Sequence, residues 1–316
     1  MQNISVVGAG GVGGYFGARI ARAGFKVDFI ARGEHLKAMQ KNGLVIKSIL
    51  GDFTLNKVNA CGHFENVKNA DLIILGVKAW QVKEVALAIK PFIKTDAVVL
   101  PLQNGVMATT ELTRILDEKY VLSGLCRIIS KIETPGVISH FGVDPAIVFG
   151  EADSTVTKRI LAIKKIFDQS GINHKVSENI QADLWKKFIN ICVSGLLAVT
   201  HTTYGELRSV PQTRQMMTDL FQEVYDLSQK EGVDIQPDYV DKMVAFIDSF
   251  PPHTTSSLTR DVWEGKPSEI EYQNGTVVKL ARKKQLPVPV NEFVYNCILP
   301  MEMKARGLLQ NHQIIK

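Results

Sequence analysis

The stretch that decides the fold is Gly8-Ala9-Gly10-Gly11-Val12-Gly13, which separates a strand-like run, Asn3–Val7, from a helical pattern that continues to Ala23. Each glycine of a G-x-G-x-x-G turn meets a separate requirement. The first makes a tight turn, the second lets a pyrophosphate approach the backbone, and the third lets the helix lie close to the sheet. The positive N-terminal end of that helix favours the phosphates. The stretch predicts a dinucleotide-binding unit, and the flanking strand and helix disfavour a chance match.

The composition suits an ordinary soluble protein of about two domains. Of the 316 residues, 45% are hydrophobic and 22% are charged. Because the first strand follows Met1 almost directly, we expect no signal peptide. The longest apolar stretches, around Leu72–Val77 and Ile191–Val199, are too short to span a bilayer. We therefore expect a cytoplasmic protein that does not enter a membrane.

The cysteines indicate neither a metal site nor a disulfide framework. No two of them form a C-x-x-C pair, and their wide spacing favours free thiols in a reducing compartment. We expect no bound metal. The cysteines are Cys61, Cys126, Cys192 and Cys297.

The net charge of +5 is spread along the chain, whereas nucleic-acid binders usually concentrate basic residues on one surface. The densest basic run, Lys279–Lys284, ends a predicted helix, where cations complement the helix dipole. We interpret it as a solvated helix end and expect no nucleic-acid partner.

Strand and helix patterns alternate from Met1 to about Ser170. This alternation predicts an α/β fold with a parallel, doubly wound sheet, in which ligands bind beyond the carboxyl ends of the strands. Two later segments, Val137–Phe141 and Ala146–Phe149, are interpreted as an antiparallel addition. The predicted strands are Ile4–Val7, Val27–Ile30, Leu44–Lys47, Phe53–Asn56, Leu72–Leu75, Val98–Leu100 and Val121–Leu125, and the predicted helices are Gly11–Ala23, Gln81–Ile89 and Ala108–Leu116.

Long helical patterns replace the strands after about Ile180. Ser268 and Glu271 predict a capping box that begins the last of them. The chain thus divides into a Rossmann-type nucleotide-binding domain, residues 1–175, and a helical substrate domain, residues 176–316, with the active site expected in the cleft between them. The predicted helices are Ala182–Val199, Thr213–Gly232, Pro237–Phe250 and Glu269–Lys284.

The end of the second strand indicates which dinucleotide binds. NAD-preferring enzymes carry an acidic side chain there, which holds the ribose 2′-hydroxyl, but this chain has Arg32. A guanidinium pairs with a 2′-phosphate, so we predict NADP(H). Asp28 is the rival candidate, although it lies in the middle of the strand. The alternative for Arg32 is a solvated loop residue.

The helical pattern Ala182–Val199 carries one polar stripe. Lys187, Asn190 and Ser194 share a face by their spacing, while the other positions are mostly apolar. Packing is assigned to Leu184, Trp185, Phe188, Ile189 and Cys192. A desolvated lysine on such a helix can act as an acid or base. The alternative is that Lys186 and Lys187 are both solvated surface residues.

Two polar segments follow predicted strands. Pro101–Gly105 and Val77–Gln81 both lie where a doubly wound sheet binds its ligand. Simple turn chemistry is the alternative for each, since Asn-Gly is a common turn pair.

Together these motifs resemble the ketopantoate reductase (2-dehydropantoate 2-reductase) family, from Asn3 to about Pro300. The W-K-K…N helix combined with a late E-I-E-Y-x-N-G is far more specific than the glycine motif. The motifs are Gly8-x-Gly10-x-x-Gly13, Lys78-Ala79-Trp80-Gln81, Gln103-Asn104-Gly105, Asp183-Leu184-Trp185-Lys186-Lys187 with Asn190, Gly205-Glu206-Leu207, Ser256-Ser257 with Asp261, and Glu269-Ile270-Glu271-Tyr272-x-Asn274-Gly275.

The resemblance implies a Rossmann-type domain followed by an all-helical domain of the 6-phosphogluconate dehydrogenase-like kind. It also implies reduction of 2-dehydropantoate to (R)-pantoate with NADPH, in the biosynthesis of pantothenate and coenzyme A. Lys187 would be the general acid, with Glu269 close to it or to the cofactor. The substrate would contact Asn104, Asn190, Ser194 and Ser257, and the cofactor would contact Gly8, Ala9, Gly10, Gly11, Val12, Gly13, Arg32, Lys78, Asn104, Ser130 and Glu269.

The chain departs from the family pattern at two places. Ser194-Gly195 stands where many members carry asparagine and proline, and Tyr204 stands where another substrate-contacting asparagine can occur. A reductase of another 2-oxo acid is therefore one alternative, and a catalytically silent NADPH sensor is another. The apolar C-terminal helices could pack within one chain or between two, so a homodimer is also open.

Overall fold

The computed structural model describes residues 1–309, and the chain forms two compact units. The first contains residues 1–103 and 107–183, and the second contains Asn104–Val106 with the chain from Leu184 onward. The strands are β1 (Asn3–Val7), β2 (Lys26–Ile30), β3 (Leu44–Ser48), β4 (Phe53–Leu55), β5 (Asn59–Cys61), β6 (Leu72–Leu75), β7 (Val98–Pro101), β8 (Ser123–Thr134), β9 (Val137–Gly150) and β10 (Asn173–Val176).

The helices follow the strands in the first unit and make up the second. They are α1 (Gly11–Arg22), α2 (Gly33–Asn42), α3 (Val82–Ile89), α4 (Ala108–Thr113), α5 (Lys158–Gln169), α6 (Ile180–Thr200), α7 (Tyr204–Ser209), α8 (Pro211–Lys230), α9 (Tyr239–Asp248), α10 (Ser257–Trp263), α11 (Asn274–Lys283) and α12 (Pro289–Ala305).

The first unit is built on a parallel sheet with the strand order β5-β2-β1-β6-β7. Alternate residues of β1 belong to different cores, with Ile4 and Val6 on one face and Val7 on the other. The sheet is therefore covered on both faces, as the predicted doubly wound fold requires. The strand order reverses between β1 and β6, which is where such sheets bind dinucleotides.

A second sheet, which the sequence did not predict, takes three of the predicted strands. Its order is β10-β9-β3-β4, with β8 paired antiparallel to β9. Placing 44–47 and 53–56 in the parallel sheet was therefore wrong. The prediction for 121–125 was right only at its start, because Val121 pairs parallel with Val99 of β7, whereas the chain from Ser123 onward pairs with β9. In β3, Leu44 and Ile46 are buried and their neighbours are not, so only one face of this strand is covered. The two segments of the antiparallel addition are a single strand, β9.

The predicted start of the helix at Glu269 was also wrong. Ser268 donates its hydroxyl to Glu302 at 2.7 Å, and Glu271 accepts from the Tyr295 hydroxyl at 2.5 Å, so they form no capping box. Only a short 3-10 turn follows Glu269, and the helix begins at Asn274. The capping pattern was overridden because both side chains have partners in α12.

The side chain of Asp71, which precedes β6, hydrogen-bonds the backbone at the start of β1. Its carboxylate accepts from the backbone N–H groups of Gln2 and Asn3, at 2.6 and 3.0 Å, and pairs with Lys94. Burial raises the pKa of Asp71, but these hydrogen bonds and the Lys94 charge outweigh it and lower the pKa to about 2. The charged carboxylate is therefore a stabilising contact of the folded first unit.

An Asp71→Asn variant is expected to lose about 2 kcal/mol of unfolding free energy at neutral pH. Because the folded pKa lies below the unfolded value, this stabilisation is present above about pH 4 and is lost as the pH falls towards 2. Urea unfolding at pH 7 and near pH 3 measures the difference, with Asp96→Asn at an exposed position as the control. An equal loss at both pH values would contradict the role of the charge.

Within residues 1–309, no helix combines the length and the apolar character needed to cross a membrane. The four cysteines are free thiols. The same part of the chain contains no cluster of three or more His, Cys, Asp or Glu side chains that could hold a metal ion.

Candidate active site

The glycine-rich turn between β1 and α1 has the geometry that its sequence predicts. Gly8 has a φ of +92°, a conformation that suits glycine, and its N–H donates to the Ile30 carbonyl at 2.9 Å. A Cβ on Gly13 would lie 2.2 Å from the carbonyl oxygen of Gly8, so only glycine allows α1 to approach the turn this closely. The turn and the helix are therefore fixed against each other at the switch point of the sheet.

Gly10 is different, because packing does not require a glycine there. Its φ is −74°, and a Cβ would meet no atom within 4 Å. Gly10 is the N-cap of α1, whose first turn has no acidic residue and, within the described residues, no side-chain cap. An open, uncapped helix N-terminus of this kind suits a phosphate group, so the turn fits a dinucleotide.

Arg32 and Asp28 occupy different environments at the end of β2. Arg32 is exposed at the N-cap position of α2, just beyond the carboxyl end of the strand. Asp28 lies within β2 and accepts a hydrogen bond from the Asn59 side chain of the neighbouring β5. Asp28 is thus engaged in strand pairing, while the Arg32 guanidinium is accessible to an anion.

Lys78 and Ser130 lie on different sides of the glycine turn. Lys78 follows β6, which pairs with β1, and the backbone of Ser130 packs against Gly11 of the turn. Lys78 is half-buried and holds its ammonium 5.7 Å from the Trp80 ring centroid. Ser130 lies in β8, and its carbonyl oxygen would be 2.7 Å from a Cβ on Gly11. The Ser130 hydroxyl is buried and has no hydrogen-bond partner within residues 1–309. Both residues belong to the first unit.

Helix α6 presents the predicted polar stripe in the second unit. Lys187 and Asn190 are half-buried, and Ser194 is only 3% exposed. Lys186 is also half-buried, so neither lysine is fully exposed. The residues assigned to packing are all buried, namely Leu184, Trp185, Phe188, Ile189 and Cys192.

Asn104 and Glu269 come together although they lie far apart in the sequence. The Asn104 amide donates to Glu269 Oε2 at 3.1 Å, and Glu269 is only 6% exposed. Gly105 has a φ of +91°, and a Cβ there would lie 2.6 Å from the Tyr272 carbonyl oxygen. The Asn-Gly pair is therefore packed against the segment that carries Glu269, rather than being a simple exposed turn.

The remaining predicted residues of the second unit have different degrees of exposure. Ser257 is exposed at the start of α10, which is capped by Ser256 through the Thr259 N–H. Tyr204 is buried, packs edge-on against Phe250, and has a pKa raised by that burial. Tyr204 is therefore a packing residue in this chain.

Three further polar residues were not among the predicted site residues, although Gln103 lies in a segment that the sequence singled out. His35 bonds the carbonyl of Ala9 in the glycine turn, and Gln103 donates to the carbonyls of Leu75 and Val77. Glu302 holds the residue before Glu269, because it accepts from both the N–H and the hydroxyl of Ser268. The position of Gln103 inside the Q-N-G motif was the one available signal.

The chain is similar to known proteins over most of its length. Residues 4–154 match the family model described as ketopantoate reductase PanE/ApbA, and residues 179–302 match the model of its C-terminal part. An uncharacterized oxidoreductase of Bacillus subtilis (strain 168), YkpB, is 32% identical over 297 residues, which cover 92% of this chain and 95% of that protein.

Two further relatives carry a named activity. A 2-dehydropantoate 2-reductase of Nostoc sp. (strain PCC 7120) is 29% identical over 301 residues, covering 93% of each chain. The crystal structure of a PanE/ApbA family ketopantoate reductase from Ralstonia eutropha JMP134 matches with a TM-score of 0.89 at 31% identity, covering 96% of this chain and 99% of that chain. Since the family models match most of its length, this chain belongs to the ketopantoate reductase family and is an oxidoreductase.

Proposed function

We propose that the protein reduces 2-dehydropantoate to (R)-pantoate with NADPH, in the biosynthesis of pantothenate and coenzyme A. The first unit binds NADP(H), and the second provides the substrate and catalytic side chains. The observation that carries the proposal is the half-buried Lys187, which shares a face of the mostly apolar helix α6 with Asn190 and Ser194. Support comes from the 2-dehydropantoate 2-reductase activity named for the Nostoc relative.

When bound, NADPH would supply a hydride to the carbonyl carbon of the 2-oxo acid, so that a new C–H bond forms. As that bond forms, the electron pair of the C=O double bond moves to the oxygen, which becomes basic. The Lys187 ammonium stabilises the developing negative charge and donates a proton to that oxygen, leaving a neutral amine. The product is the 2-hydroxy acid, and Lys187 regains its proton from solvent.

The other polar side chains orient the reactants. Asn190, Ser194 and Ser257 would hydrogen-bond the substrate carboxylate or hydroxyl, and Asn104 would contact both the substrate and the cofactor. Glu269 accepts from the Asn104 amide, and that contact fixes which way the amide faces. Glu269 therefore acts on the reactants at least in part through Asn104.

The glycine turn would hold the cofactor, and the Arg32 guanidinium would pair with its 2′-phosphate. An Arg32→Ala variant is expected to weaken NADPH binding about 10- to 100-fold, because a hydrogen-bonded ion pair is lost. NADH affinity should change little, since NADH carries a hydroxyl in place of that phosphate. Fluorescence titration with each cofactor measures both dissociation constants.

The control for Arg32 is Lys37→Ala, which removes another exposed cation of α2, paired with Glu34. This variant should leave both affinities nearly unchanged. Equal losses of NADPH and NADH affinity in Arg32→Ala would contradict the 2′-phosphate contact, and wild-type protein that prefers NADH would overturn the NADPH assignment.

A steady-state assay that follows NADPH absorbance tests the reaction itself. We expect the highest kcat/KM with 2-dehydropantoate in a panel of branched and linear 2-oxo acids. Ser194 favours a second candidate, a reductase of another 2-oxo acid, because its side chain is shorter than the asparagine of many family members. A higher kcat/KM for another acid would select that candidate, and no turnover with any acid would leave a cofactor-binding sensor.

A further inference from the structure

His35 connects the glycine-rich turn to the loop between β8 and β9. Its Nε2 lies 2.9 Å from the carbonyl oxygen of Ala9, and its Nδ1 lies 3.0 Å from the backbone nitrogen of Gly136. A carbonyl oxygen only accepts and a backbone N–H only donates, so these two partners dictate the state of the ring. The imidazole is neutral, with its proton on Nε2, and it donates that proton to Ala9.

The surroundings of His35 favour this neutral form. Desolvation lowers the pKa of His35, and the hydrogen bond to Ala9 opposes that shift only in part. Protonation of Nδ1 would set two N–H groups against each other at Gly136 and break that hydrogen bond. Gly136 is itself fixed, because its carbonyl accepts from the Val45 N–H of β3 at 2.9 Å. His35 is thus anchored to a loop that is itself hydrogen-bonded to β3.

The hydrogen bond to Ala9 also sets the direction of the next N–H group. Since the peptide unit is planar and trans, the Ala9 carbonyl and the Gly10 N–H point in opposite directions. With the carbonyl directed at His35, the Gly10 N–H is directed away from the ring.

Gly14 makes room for this arrangement at the first turn of α1. A Cβ on Gly14 would lie 2.8 Å from the Ala9 carbonyl oxygen. That oxygen is therefore confined between the histidine and the helix, and the Ala9–Gly10 peptide has one well-defined orientation.

We propose that His35 is a positioning residue for the cofactor, which holds the Ala9–Gly10 peptide so that the Gly10 N–H donates to a dinucleotide pyrophosphate. The histidine acts through the peptide and need not touch the cofactor. This inference rests on the proposed function, because it requires a dinucleotide phosphate at the glycine turn.

Two substitutions separate the two hydrogen bonds of the ring. In His35→Gln the amide nitrogen can replace Nε2 as the donor to Ala9, whereas in His35→Asn the amide oxygen can replace Nδ1 as the acceptor from Gly136. We expect His35→Gln to keep the NADPH dissociation constant within about two-fold and His35→Asn to raise it about five- to ten-fold. The kcat at saturating NADPH should be unchanged in both variants.

Other outcomes overturn the inference in distinguishable ways. Equal losses in both variants would indicate a packing role, and a larger loss in His35→Gln would show that the Gly136 bond is the one that matters. A fall in kcat with an unchanged dissociation constant would also contradict it. If wild-type protein does not bind NADPH, the proposed function fails first. Should neither variant fold, ¹⁵N NMR of wild-type histidines decides, because a proton on Nδ1 of His35 is incompatible with the proposal.

Discussion

Lys187→Ala is expected to lower kcat about 10²- to 10⁴-fold, which is the usual contribution of a positioned general acid. Without the ammonium, the oxygen that receives negative charge must be stabilised and protonated by water. NADPH affinity should change little, because Lys187 lies on α6 in the unit that does not contain the glycine turn. Steady-state kinetics with the preferred 2-oxo acid and a separate NADPH titration measure the two effects.

Lys186→Ala is the matched control for this prediction. Lys186 is the neighbouring residue, is also half-buried, and holds its ammonium 5.8 Å from the Tyr239 ring centroid. Its removal loses packing contacts and a cation–π contact, but the proposed proton donor Lys187 remains, so kcat should stay within a few-fold of the wild-type value. Full turnover by Lys187→Ala, or an equal loss in Lys186→Ala, would show that the acid is assigned wrongly.

Gly10→Ala is expected to leave the fold intact and to weaken NADPH binding by about 100-fold or more, because the methyl group occupies the space that a pyrophosphate needs. Residue 10 has a φ that alanine adopts, and the added Cβ meets no protein atom within 4 Å. A poorer N-cap and a less flexible unfolded chain roughly offset each other, so stability should change by less than about 1 kcal/mol. Thermal unfolding measures the change in stability, and NADPH titration measures the change in the dissociation constant.

Gly13→Ala provides the contrast within the same turn. Its Cβ would lie 2.2 Å from the Gly8 carbonyl oxygen, so the backbone of the turn or the helix must move. We expect a clear loss of stability in addition to lost binding. If Gly10→Ala binds NADPH as wild type does, the phosphate is not at this turn. If it unfolds like Gly13→Ala, its glycine serves packing instead.

The elements that could be predicted from the sequence are those defined by short-range patterns. The strand, glycine turn and helix at residues 3–22 follow from local conformational requirements, and α6 follows from its apolar spacing. Helix α2 was missed because Met39 is its one buried residue, so it carries little periodic signal. Strands β5 and β10 are only three and four residues long and give equally little periodic signal.

Sheet membership could not be predicted in the same way. A short alternating run such as β3 indicates a strand with one buried face, but it does not say which strand lies beside it. In the structure β3 pairs parallel with β9, more than 80 residues away in the sequence. The capping pattern at Ser268 failed for a related reason, since Glu302 in a distant helix binds that hydroxyl.

The sequence by itself determined the dinucleotide-type turn, the polar stripe of α6 and the family, because each depends on residue types at fixed short spacings. Only the tertiary structure decided which distant polar groups meet. Asn104 reaches Glu269 across 165 residues, and His35 reaches Gly136 across 101. Such hydrogen bonds arise from how packed elements bring backbone and side chains within about 3 Å of each other, and no local pattern encodes that distance.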